Sequence, residues 1–487
     1  MISAPNTPRP LSRRHFLAAS AAVVALPRLA FAQTAPLALT ATRRSLEIDG
    51  KAASVYGLVN GNGGNGLILD PGQRFCVNLT NALGEETLIH WHGQIPPNAQ
   101  DGVPGMPAPL MKPGESRSYD FAAKPGTHWM HAHVPLQELN LLAAPLIVRT
   151  DADLKADRQE VVMLLHDFSF KSPAEVMAVI TGGAAMGGMS GMDMSGTDSS
   201  TMGAMKGMDM SGMKMPGMMD LNDYNFDAYL ANDRTLSDPE VVPVEAGGHI
   251  RLRIINGAAA TMFWIDPGVE DARLIAVDGH DVAPRKGRRF GLAMGQRLDI
   301  ELDLPGSGAF PILALREGAK ERTGIILATP GAAVPKLASV SDEAAPAFDP
   351  DLSQESALRA ANPLTVVNNA RSVMLTLAGA MQPYVWTING ATWANHIPVT
   401  AKSGERLEIV FHNMSMMAHP MHLHGHSFQV VDTGAGRFSG ALRDTVLVPP
   451  MAKITVALDA GEAASWMLHC HQMPHLASGM MTEFLVS

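Results

Sequence analysis

The sequence predicts an all-β protein built from β-sandwich domains, and two observations support this prediction. Apolar residues alternate with polar ones at a period of two along several stretches, which places them on one face of a strand; the clearest run is Leu298, Ile300, Leu302 and Leu304. The 45 glycines and 34 prolines supply frequent turns between short strands. Because few apolar residues follow helical spacing, we expect helices to be minor.

The composition excludes several classes of protein. A chain of 487 residues with 46% apolar and 17% charged residues can bury several cores. The net charge of −10 leaves no basic excess for nucleic acid or an anionic membrane, so we expect neither as a partner. The two cysteines, Cys76 and Cys470, stand in unlike contexts and predict no disulfide framework. We interpret Cys76 as a small buried hydrophobe in a strand, without a function.

Residues 1–32 are typical of an export signal. Arg13 and Arg14 precede a short apolar stretch, and Ala30-Phe31-Ala32 fits a cleavage site. The pattern resembles a twin-arginine signal, and this predicts a periplasmic protein that the twin-arginine machinery exports and whose signal is removed. The alternative, a membrane anchor, is disfavoured because the apolar run is too short to span a bilayer. We therefore expect no stable membrane insertion of the mature protein.

Shifts in composition predict three domains after the signal, at residues 38–150, 158–330 and 363–487. A charged stretch at 150–158 separates the first two. A stretch rich in Ala, Pro and Asp at 330–363 separates the last two, and we expect this long linker to be external.

A methionine-rich run lies inside the middle predicted domain, at residues 186–219. It holds 12 methionines among Gly, Ser and Asp, which is typical of a low-complexity loop. Thioether sulfur is a soft ligand suited to Cu(I), so the run predicts an accessory Cu(I) site; the candidate ligands are Met192, Met194, Met208, Met210, Met213 and Met215. The alternative is that these methionines are flexible filler or a sticky surface.

Paired histidines occur four times in a duplicated frame. His90 and His92 are followed by His131 and His133, and the same pattern returns near the end of the chain as His422 and His424, then His469 and His471. The first histidines of the two pairs are 41 residues apart in the first copy and 47 in the second. On a strand, residues i and i+2 point to one side, so each pair presents two imidazoles together. Because eight imidazoles would be costly to bury without partners, the pattern predicts a metal cluster.

The second copy adds the ligands of a further metal site. Cys470 lies between the last two histidines, and His419, His475 and Met480 stand nearby in sequence. Two imidazoles, a thiolate and a weak axial thioether are the ligands of a blue-copper site. Cys470 points away from His469 and His471 on a strand, so the backbone offers a continuous covalent path between the two sites.

The four motifs HWHG (90–93), HAH (131–133), HPMHLHGH (419–426) and HCHQMPHLASGM (469–480) resemble those of multicopper oxidases of the three-domain bacterial type, which includes laccases, cuprous oxidases and copper-resistance proteins. The resemblance covers essentially the whole mature chain. It implies three cupredoxin-like (plastocyanin-like) Greek-key domains and four copper ions, with the middle domain as a spacer.

The resemblance also implies which residues hold each copper. His419, Cys470, His475 and Met480 would hold the type 1 copper, and His90 and His422 the type 2 copper. The type 3 pair would be held by six histidines; these are His92, His131, His133, His424, His469 and His471.

An acid near the cluster is useful because reduction of dioxygen to water consumes protons. Asp101 resembles the outer acid of the family, although an Asp-Gly pair is also typical of a turn. Leu476 stands where certain relatives carry a second acid, so that role has no candidate. We leave His128 and His426 outside the ligand set.

These observations support an enzyme that oxidises Cu(I), or phenolic and aromatic amine donors, and reduces dioxygen to water, with a role in periplasmic copper tolerance. The alternative is a periplasmic protein that sequesters copper without catalysis. A structural relative that lost its copper is disfavoured because every ligand is retained. We expect a monomer. Three isolated histidines in the middle domain are interpreted as structural or surface residues: His166, His249 and His280.

Overall fold

The computed structural model describes residues 35–134, 136–182, 221, 223–349, 352–368 and 370–487. The predicted export signal at 1–32 and the methionine-rich run at 186–219 lie outside these residues. The described chain is built mainly from strands, which confirms the all-β prediction.

The first eight strands form two four-stranded sheets. The strands are β1 (Leu37–Ile48), β2 (Lys51–Asn60), β3 (Leu67–Leu69), β4 (Phe75–Asn81), β5 (Ile89–His92), β6 (Ser116–Phe121), β7 (Gly126–Ala132) and β8 (Ala143–Val148). One sheet has the order β2-β1-β4-β6 and the other β3-β8-β7-β5. Their facing apolar side chains, among them Leu39, Phe75 and Trp91, form one core.

The next eleven strands form a six-stranded and a five-stranded sheet. They are β9 (Gln159–Phe168), β10 (Ala228–Ala231), β11 (Val241–Pro243), β12 (His249–Asn256), β13 (Phe263–Asp266), β14 (Ala272–Val277), β15 (His280–Gly287), β16 (Phe290–Leu292), β17 (Arg297–Asp303), β18 (Ala309–Arg316) and β19 (Arg322–Ala328). The sheet orders are β10-β9-β12-β17-β14-β15 and β11-β19-β18-β13-β16.

The last eleven strands repeat this arrangement of six and five. They are β20 (Arg371–Met381), β21 (Tyr384–Ile388), β22 (Val399–Ala401), β23 (Arg406–Asn413), β24 (His419–Leu423), β25 (Phe428–Asp432), β26 (Leu442–Arg443), β27 (Thr445–Val448), β28 (Lys453–Asp459), β29 (Ser465–Cys470) and β30 (Met481–Val486). The sheet orders are β21-β20-β23-β28-β25-β26 and β22-β30-β29-β24-β27.

Helices are short and few among the described residues. They are α1 (Asp151–Lys155), α2 (Pro173–Ile180), α3 (Ser353–Ala357) and α4 (Met473–Ala477), with 3-10 turns at Asn98–Gln100, Glu138–Asn140 and Trp393–Asn395. In both α1 and α2 a capping box, built on Thr150 and Ser172, satisfies the first backbone amides. Within the described part of the chain, no helix has the length and apolarity that a bilayer crossing requires.

Each run of strands forms its own pair of sheets, but residues Leu37–Ser487 make one compact unit, so the three domain boundaries stay a prediction. Strand β17 shows how the second group of sheets (β9–β19) packs against the first (β1–β8). Its apolar face enters the core as predicted, yet the alternating Arg297 and Asp299 are buried as well. Asp299 accepts a hydrogen bond of 2.6 Å from the Thr127 hydroxyl of β7, so this polar face packs against the first sheets instead of water.

One expectation from the sequence holds only in part, and another is wrong. The linker at 330–363 is not wholly external, because Glu355 and Leu358 are buried and the Glu355 carboxylate binds the buried guanidinium of Arg443. Cys76 lies in β4 as predicted, but its side chain is on the half-exposed face of that strand.

Candidate metal centre

The four histidine pairs lie on two strand pairs of equal geometry. β5 and β7 are antiparallel neighbours, with His90 opposite His131; β24 and β29 are also antiparallel, with His422 opposite His469. The second histidine of three pairs stands just beyond a strand end, where the chain turns. The duplicated motifs therefore lie on two strand pairs in which the histidines are paired across the strands in the same way.

The two strand pairs bring their imidazoles close together. The ring centroids of His90 and His424 are 3.8 Å apart, and those of His92 and His422 are also 3.8 Å apart. In both contacts the first histidine of one motif meets the second histidine of the other. The remaining four rings pair in the same way; the centroid distances are 5.1 Å for His131–His471 and 5.3 Å for His133–His469. All eight side chains are buried.

A glycine follows the second histidine in both copies because a side chain there would collide with neighbours. Gly93 has φ of +87°, and a Cβ would overlap the Arg297 guanidinium. Gly425 has φ of +64°, and a Cβ would overlap the ring of Trp466. At both positions the tight turn directs the chain away from the cluster directly after the second histidine.

His90 and His422, the predicted type 2 ligands, expose the same nitrogen to the cluster. Nδ1 of His90 donates to the Asp101 carbonyl and Nδ1 of His422 to the Asp444 carbonyl, each at 2.8 Å. Both Nε2 atoms are buried without a hydrogen-bond partner in the described structure. Since a neutral imidazole that donates from Nδ1 has a lone pair on Nε2, these atoms are suited to ligate one metal ion.

The six predicted type 3 ligands form two groups of three, each with ligand atoms within 4.8 Å of one another. The groups are His133, His424 and His469, and His92, His131 and His471. In the first, Nε2 of His424 lies 3.1 Å from Nε2 of His469. Burial lowers the pKa of both rings well below the ordinary value, so both are neutral.

The hydrogen bonds of His424 and His469 show whether their Nε2 atoms are suited to bind a metal ion. His469 donates from Nδ1 to the Cys470 carbonyl at 2.9 Å, and His424 directs Nδ1 to the Asp101 carboxylate at 2.8 Å. Both Nε2 atoms therefore carry lone pairs, which repel one another at 3.1 Å unless a cation lies between them. The donor set fits a metal ion.

The predicted type 1 ligands form a separate buried group. Nδ1 of His419 lies 3.1 Å from Nδ1 of His475, and the Cys470 sulfur lies 3.7 Å and 3.6 Å from these two atoms. Ser415 lies 2.8 Å from Nε2 of His419 and leaves its Nδ1 lone pair facing the sulfur. Burial raises the pKa of the Cys470 thiol, so only a cation would favour its thiolate.

Met480 is buried in the same core cluster as Cys470. Its carbonyl accepts the Cys470 amide at 3.1 Å and its amide donates to the His475 carbonyl at 3.0 Å. The backbone therefore holds the predicted axial methionine next to both ligands.

Asp101 contacts imidazoles from both ends of the chain. Its backbone carbonyl binds His90, and its carboxylate binds His424. The second carboxylate oxygen, Oδ1, is buried, lies 3.5 Å from Nδ1 of His90 and has no hydrogen-bond partner in the described structure. The structure thus places the predicted acid at the edge of the cluster.

Sequence reasoning missed a second acid, Asp444. Its Oδ1 accepts Nε2 of His92 at 3.0 Å, and its carbonyl binds His422. Arg297 of β17 donates to both carboxylate oxygens at 2.6 Å. Burial favours the neutral acid, but Arg297 holds the pKa of Asp444 well below its usual range. A charged Arg443-Asp444 pair between apolar strands was the signal that could have indicated it.

Glu138 is a third buried acid that the sequence did not indicate. Its carboxylate oxygens lie 3.7 Å from Nδ1 of His131 and 4.0 Å from Nδ1 of His471. A small pocket beside the cluster is lined by Val134, Glu138 and Leu476 together with these imidazoles. Burial raises the pKa of Glu138. It lies on the side of the cluster where Leu476 supplies no acid.

The histidines left outside the ligand set have other contacts. His426 donates to the His424 carbonyl at 2.9 Å and accepts the Gly461 amide at 2.8 Å, which braces the turn after His424. His128 lies 3.1 Å from the Pro125 carbonyl and 3.5 Å from Arg297. His249 pairs with Asp303, His280 contacts Ser427, and His166 is buried.

Three stretches of the chain match family models described as multicopper oxidase, at residues 40–153, 196–330 and 367–487. The chain is 31% identical over 427 residues to Multicopper oxidase MmcO of Mycobacterium tuberculosis, which covers 85% of this chain and 79% of that protein. It is 26% identical over 580 residues to Copper resistance protein A of Escherichia coli, covering 95% and 94% of the two chains.

Solved structures share the fold. McoA multicopper oxidase from Aquifex aeolicus matches with a TM-score of 0.66 and 22% identity, over 93% of this chain and 96% of that one. The laccase from Botrytis aclada matches with a TM-score of 0.71 and 22% identity, over 92% and 87%. The likeness supports the cupredoxin-like sandwiches expected from the motifs.

Proposed function

The chain belongs to the multicopper oxidase family, and from that premise we propose that it oxidises Cu(I), or phenolic and aromatic amine donors, at a type 1 copper and reduces dioxygen to two waters at a trinuclear cluster. Members of this family are copper-dependent oxidoreductases that use oxygen. The observation that carries the proposal is the meeting of eight buried imidazoles, drawn from the two ends of the chain, beside the group around Cys470.

The proposed ligand sets follow the groups of side chains described above. One copper would be held by His419, Cys470, His475 and Met480, one by His90 and His422, and two by His92, His131, His133, His424, His469 and His471. Copper alternates between Cu(I) and Cu(II), so it supplies one-electron steps between a donor and dioxygen.

The chain itself connects the two ligand groups. Cys470 belongs to the first group, and its neighbours His469 and His471 belong to the second. The three residues are consecutive at the end of β29, so a short covalent path joins the groups. Four electrons and four protons are needed for each dioxygen that becomes two waters, and this path is our proposed route for the electrons.

We propose that Asp101 supplies protons at the cluster. Its carboxylate binds His424 and keeps one oxygen unpartnered in the described structure, so a proton can be held at Oδ1 beside the imidazoles. No comparable acid stands at Leu476.

Exposed methionines near His419 favour Cu(I) as a donor. Met414 and Met416 flank Ser415 and are 55% and 64% exposed; Met451, whose amide donates to the Ser415 carbonyl, is 62% exposed. The Ser415 hydroxyl contacts Nε2 of His419. Soft thioethers on the surface can capture a cuprous ion, and Ser415, which contacts His419, is the residue between Met414 and Met416 in the chain.

The methionine-rich run would add to this capture. Its candidate ligands lie outside the described residues; they are Met192, Met194, Met208, Met210, Met213 and Met215. Deletion of residues 186–219 should lower the turnover of Cu(I) more than that of a phenol. Equal retention of both activities would contradict a role in capture.

We propose a periplasmic role in copper tolerance, supported by the export-like residues 1–32 and by similarity to proteins named for copper resistance. Membership of an oxidase family favours this role over sequestration without catalysis.

The test is to load the purified mature chain with copper and measure oxygen consumption with Cu(I) and with a phenol. We expect a blue protein that consumes one dioxygen for every four electrons donated. A blue protein that consumes no oxygen with either donor would support sequestration instead.

A further inference from the structure

Three methionines meet beside the histidine cluster, where the last sheets contact the first. Met467 and Met481 belong to the neighbouring strands β29 and β30, and Met106 comes from the loop that follows Asp101. Together with Val103 they form a small core cluster of their own, and each methionine is at most 7% exposed. Three of its four buried members carry a thioether, whereas side chains without sulfur dominate the larger cores.

The strand register places two of these thioethers next to a proposed copper ligand. Met481 stands directly opposite His469 in the antiparallel pair of β29 and β30, and Met467 is two residues before His469. Side chains at i and i+2 of a strand share one face of the sheet with those directly opposite on its neighbour. Met467 and Met481 therefore lie on the sheet face that carries the His469 imidazole.

An aromatic ring and a carboxylate border the methionines on the solvent side. The half-buried Trp393 ring packs against the methionine cluster and stacks on the His396 imidazole, with ring centroids 4.2 Å apart. Glu483 stands opposite Met467 on the same sheet face, and its carboxylate lies 3.8 Å from Nε2 of His396. Because the Glu483 side chain is 25% exposed, its negative charge can attract a cation from solvent.

On the inner side, Leu476 links the methionines to the histidines. It packs against the methionine cluster and also lines the small pocket beside His131, His469 and His471. All eight imidazoles of the histidine cluster are buried, so copper ions must reach them through the protein. Thioethers suit this passage because they are neutral, cost little to bury and favour Cu(I) over Cu(II).

Resting on the proposed function, we propose that Met106, Met467 and Met481 form an accessory Cu(I) site through which copper is loaded into the histidine cluster. The three thioethers bind the cuprous ion, the Trp393 ring can add a cation–π contact, and the charge of Glu483 draws the ion to the entrance. The ion then passes to the imidazoles by ligand exchange, and no electron is transferred. The site serves the supply of the cofactor and is separate from the oxidation of donors.

The alternative is that these methionines only fill an irregular gap between the sheets. Silver distinguishes the two, because Ag(I) shares the preference of Cu(I) for thioethers and has a strong anomalous signal. Since thioethers disfavour Cu(II), we expect the site to be free in the oxidised, copper-loaded protein. A crystal of that protein, soaked in silver nitrate and measured on the long-wavelength side of the copper edge, should show a silver peak among the three sulfurs.

Leucine variants test which residues bind the ion. Met106→Leu, Met467→Leu and Met481→Leu combined nearly keep the side-chain volume but remove the ligands, so the silver peak should disappear. Anaerobic uptake of Cu(I) by the full-length chain prepared without copper, followed by metal analysis, should slow at least about fivefold in this combined variant. Met106→Leu alone, a milder change in a loop, should weaken the peak and slow uptake less. Met163→Leu with Met177→Leu, in the core of the second group of sheets, is the matched control and should change neither.

A parent crystal without a silver peak at these sulfurs would overturn the proposal, as would uptake of Cu(I) by the combined variant at the parent rate. Neither readout depends on oxygen consumption. A protein that binds silver there and loads copper through the site, but consumes no oxygen with any donor, would refute the oxidase and leave the loading site in place.

Discussion

The carboxylate of Asp101 lies 2.8 Å from Nδ1 of His424, although 323 residues separate the two along the chain. The backbone carbonyl of the same aspartate accepts a hydrogen bond from His90 of the first strand pair, β5 and β7. One residue thus orients an imidazole from each copy of the duplicated histidine motif. The cluster depends on such links between the first and last sheets as much as on the histidines themselves.

Asp101→Asn should slow the reduction of dioxygen. The amide keeps the shape but cannot deliver a proton, so we expect kcat for oxygen uptake to fall about 100-fold. Anaerobic bleaching of the blue colour by a donor should change little, since it precedes that step. Asp120→Asn, at an exposed position in β6, is the control. Wild-type oxygen uptake by a fully copper-loaded Asp101→Asn protein would disprove the role.

Cys470→Ser should abolish the blue colour and donor oxidation together. Serine offers no thiolate, while the eight-imidazole cluster keeps all its ligands. Metal analysis should therefore show that copper is still bound. Cys76→Ser, on the half-exposed face of β4, should retain colour, copper and activity. Donor oxidation by Cys470→Ser at the parent rate would be incompatible with the proposed site.

Arg297→Met should destabilise the protein and weaken the cluster. It leaves the buried Asp444 carboxylate without its counter-ion, which costs about 3–5 kcal/mol. Denaturant unfolding of the copper-free protein measures the loss, and copper content reports the effect on His92 and His422. Arg406→Met breaks a bidentate pair with the largely exposed Asp459 and should cost less than about 1 kcal/mol. Equal losses in the two variants would contradict the importance of burial.

Replacement of Met414, Met416 and Met451 by Leu should raise KM for Cu(I) about tenfold or more, because three soft ligands are lost without a change in side-chain size. The KM for a phenol should stay near the parent value. Met374→Leu with Met381→Leu, two exposed methionines of β20, is the control pair. If the triple variant and the control pair change KM for Cu(I) to the same extent, the proposal that methionines near His419 capture Cu(I) is wrong.

His166 should contribute to acid sensitivity. Burial lowers its pKa to about 4, below the value of about 6.5 expected in the unfolded chain. The unfolded chain therefore takes up the proton first, and stability is lost as pH falls from about 6.5 towards 4. His166→Leu should lose about 2–3 kcal/mol less stability than the parent between pH 7 and 4.5. His412→Leu, at a half-exposed position, should follow the parent curve; an unchanged curve for His166→Leu would contradict the account.

The sequence predicted the strands of the site because His-x-His at period two is a local pattern. The same alternation identified the core face of β17 at Leu298 and Leu302. It could not predict that Arg297, on the opposite face, would be buried against Asp444, because that contact joins residues 147 positions apart. Glu138 escaped notice for a related reason: it is a single acid, and His471, one of the two imidazoles beside it, is 333 positions away along the chain.

The central claim is that histidines from the first and last sheets share metal ions. An anomalous difference map from a crystal of the copper-loaded protein, recorded at the copper absorption edge, tests it most directly. The account predicts four peaks: one beside the Cys470 sulfur, and three among the eight imidazoles with ligands from both ends of the chain. A map without peaks between the two strand pairs, or with peaks bound by only one of them, would contradict it.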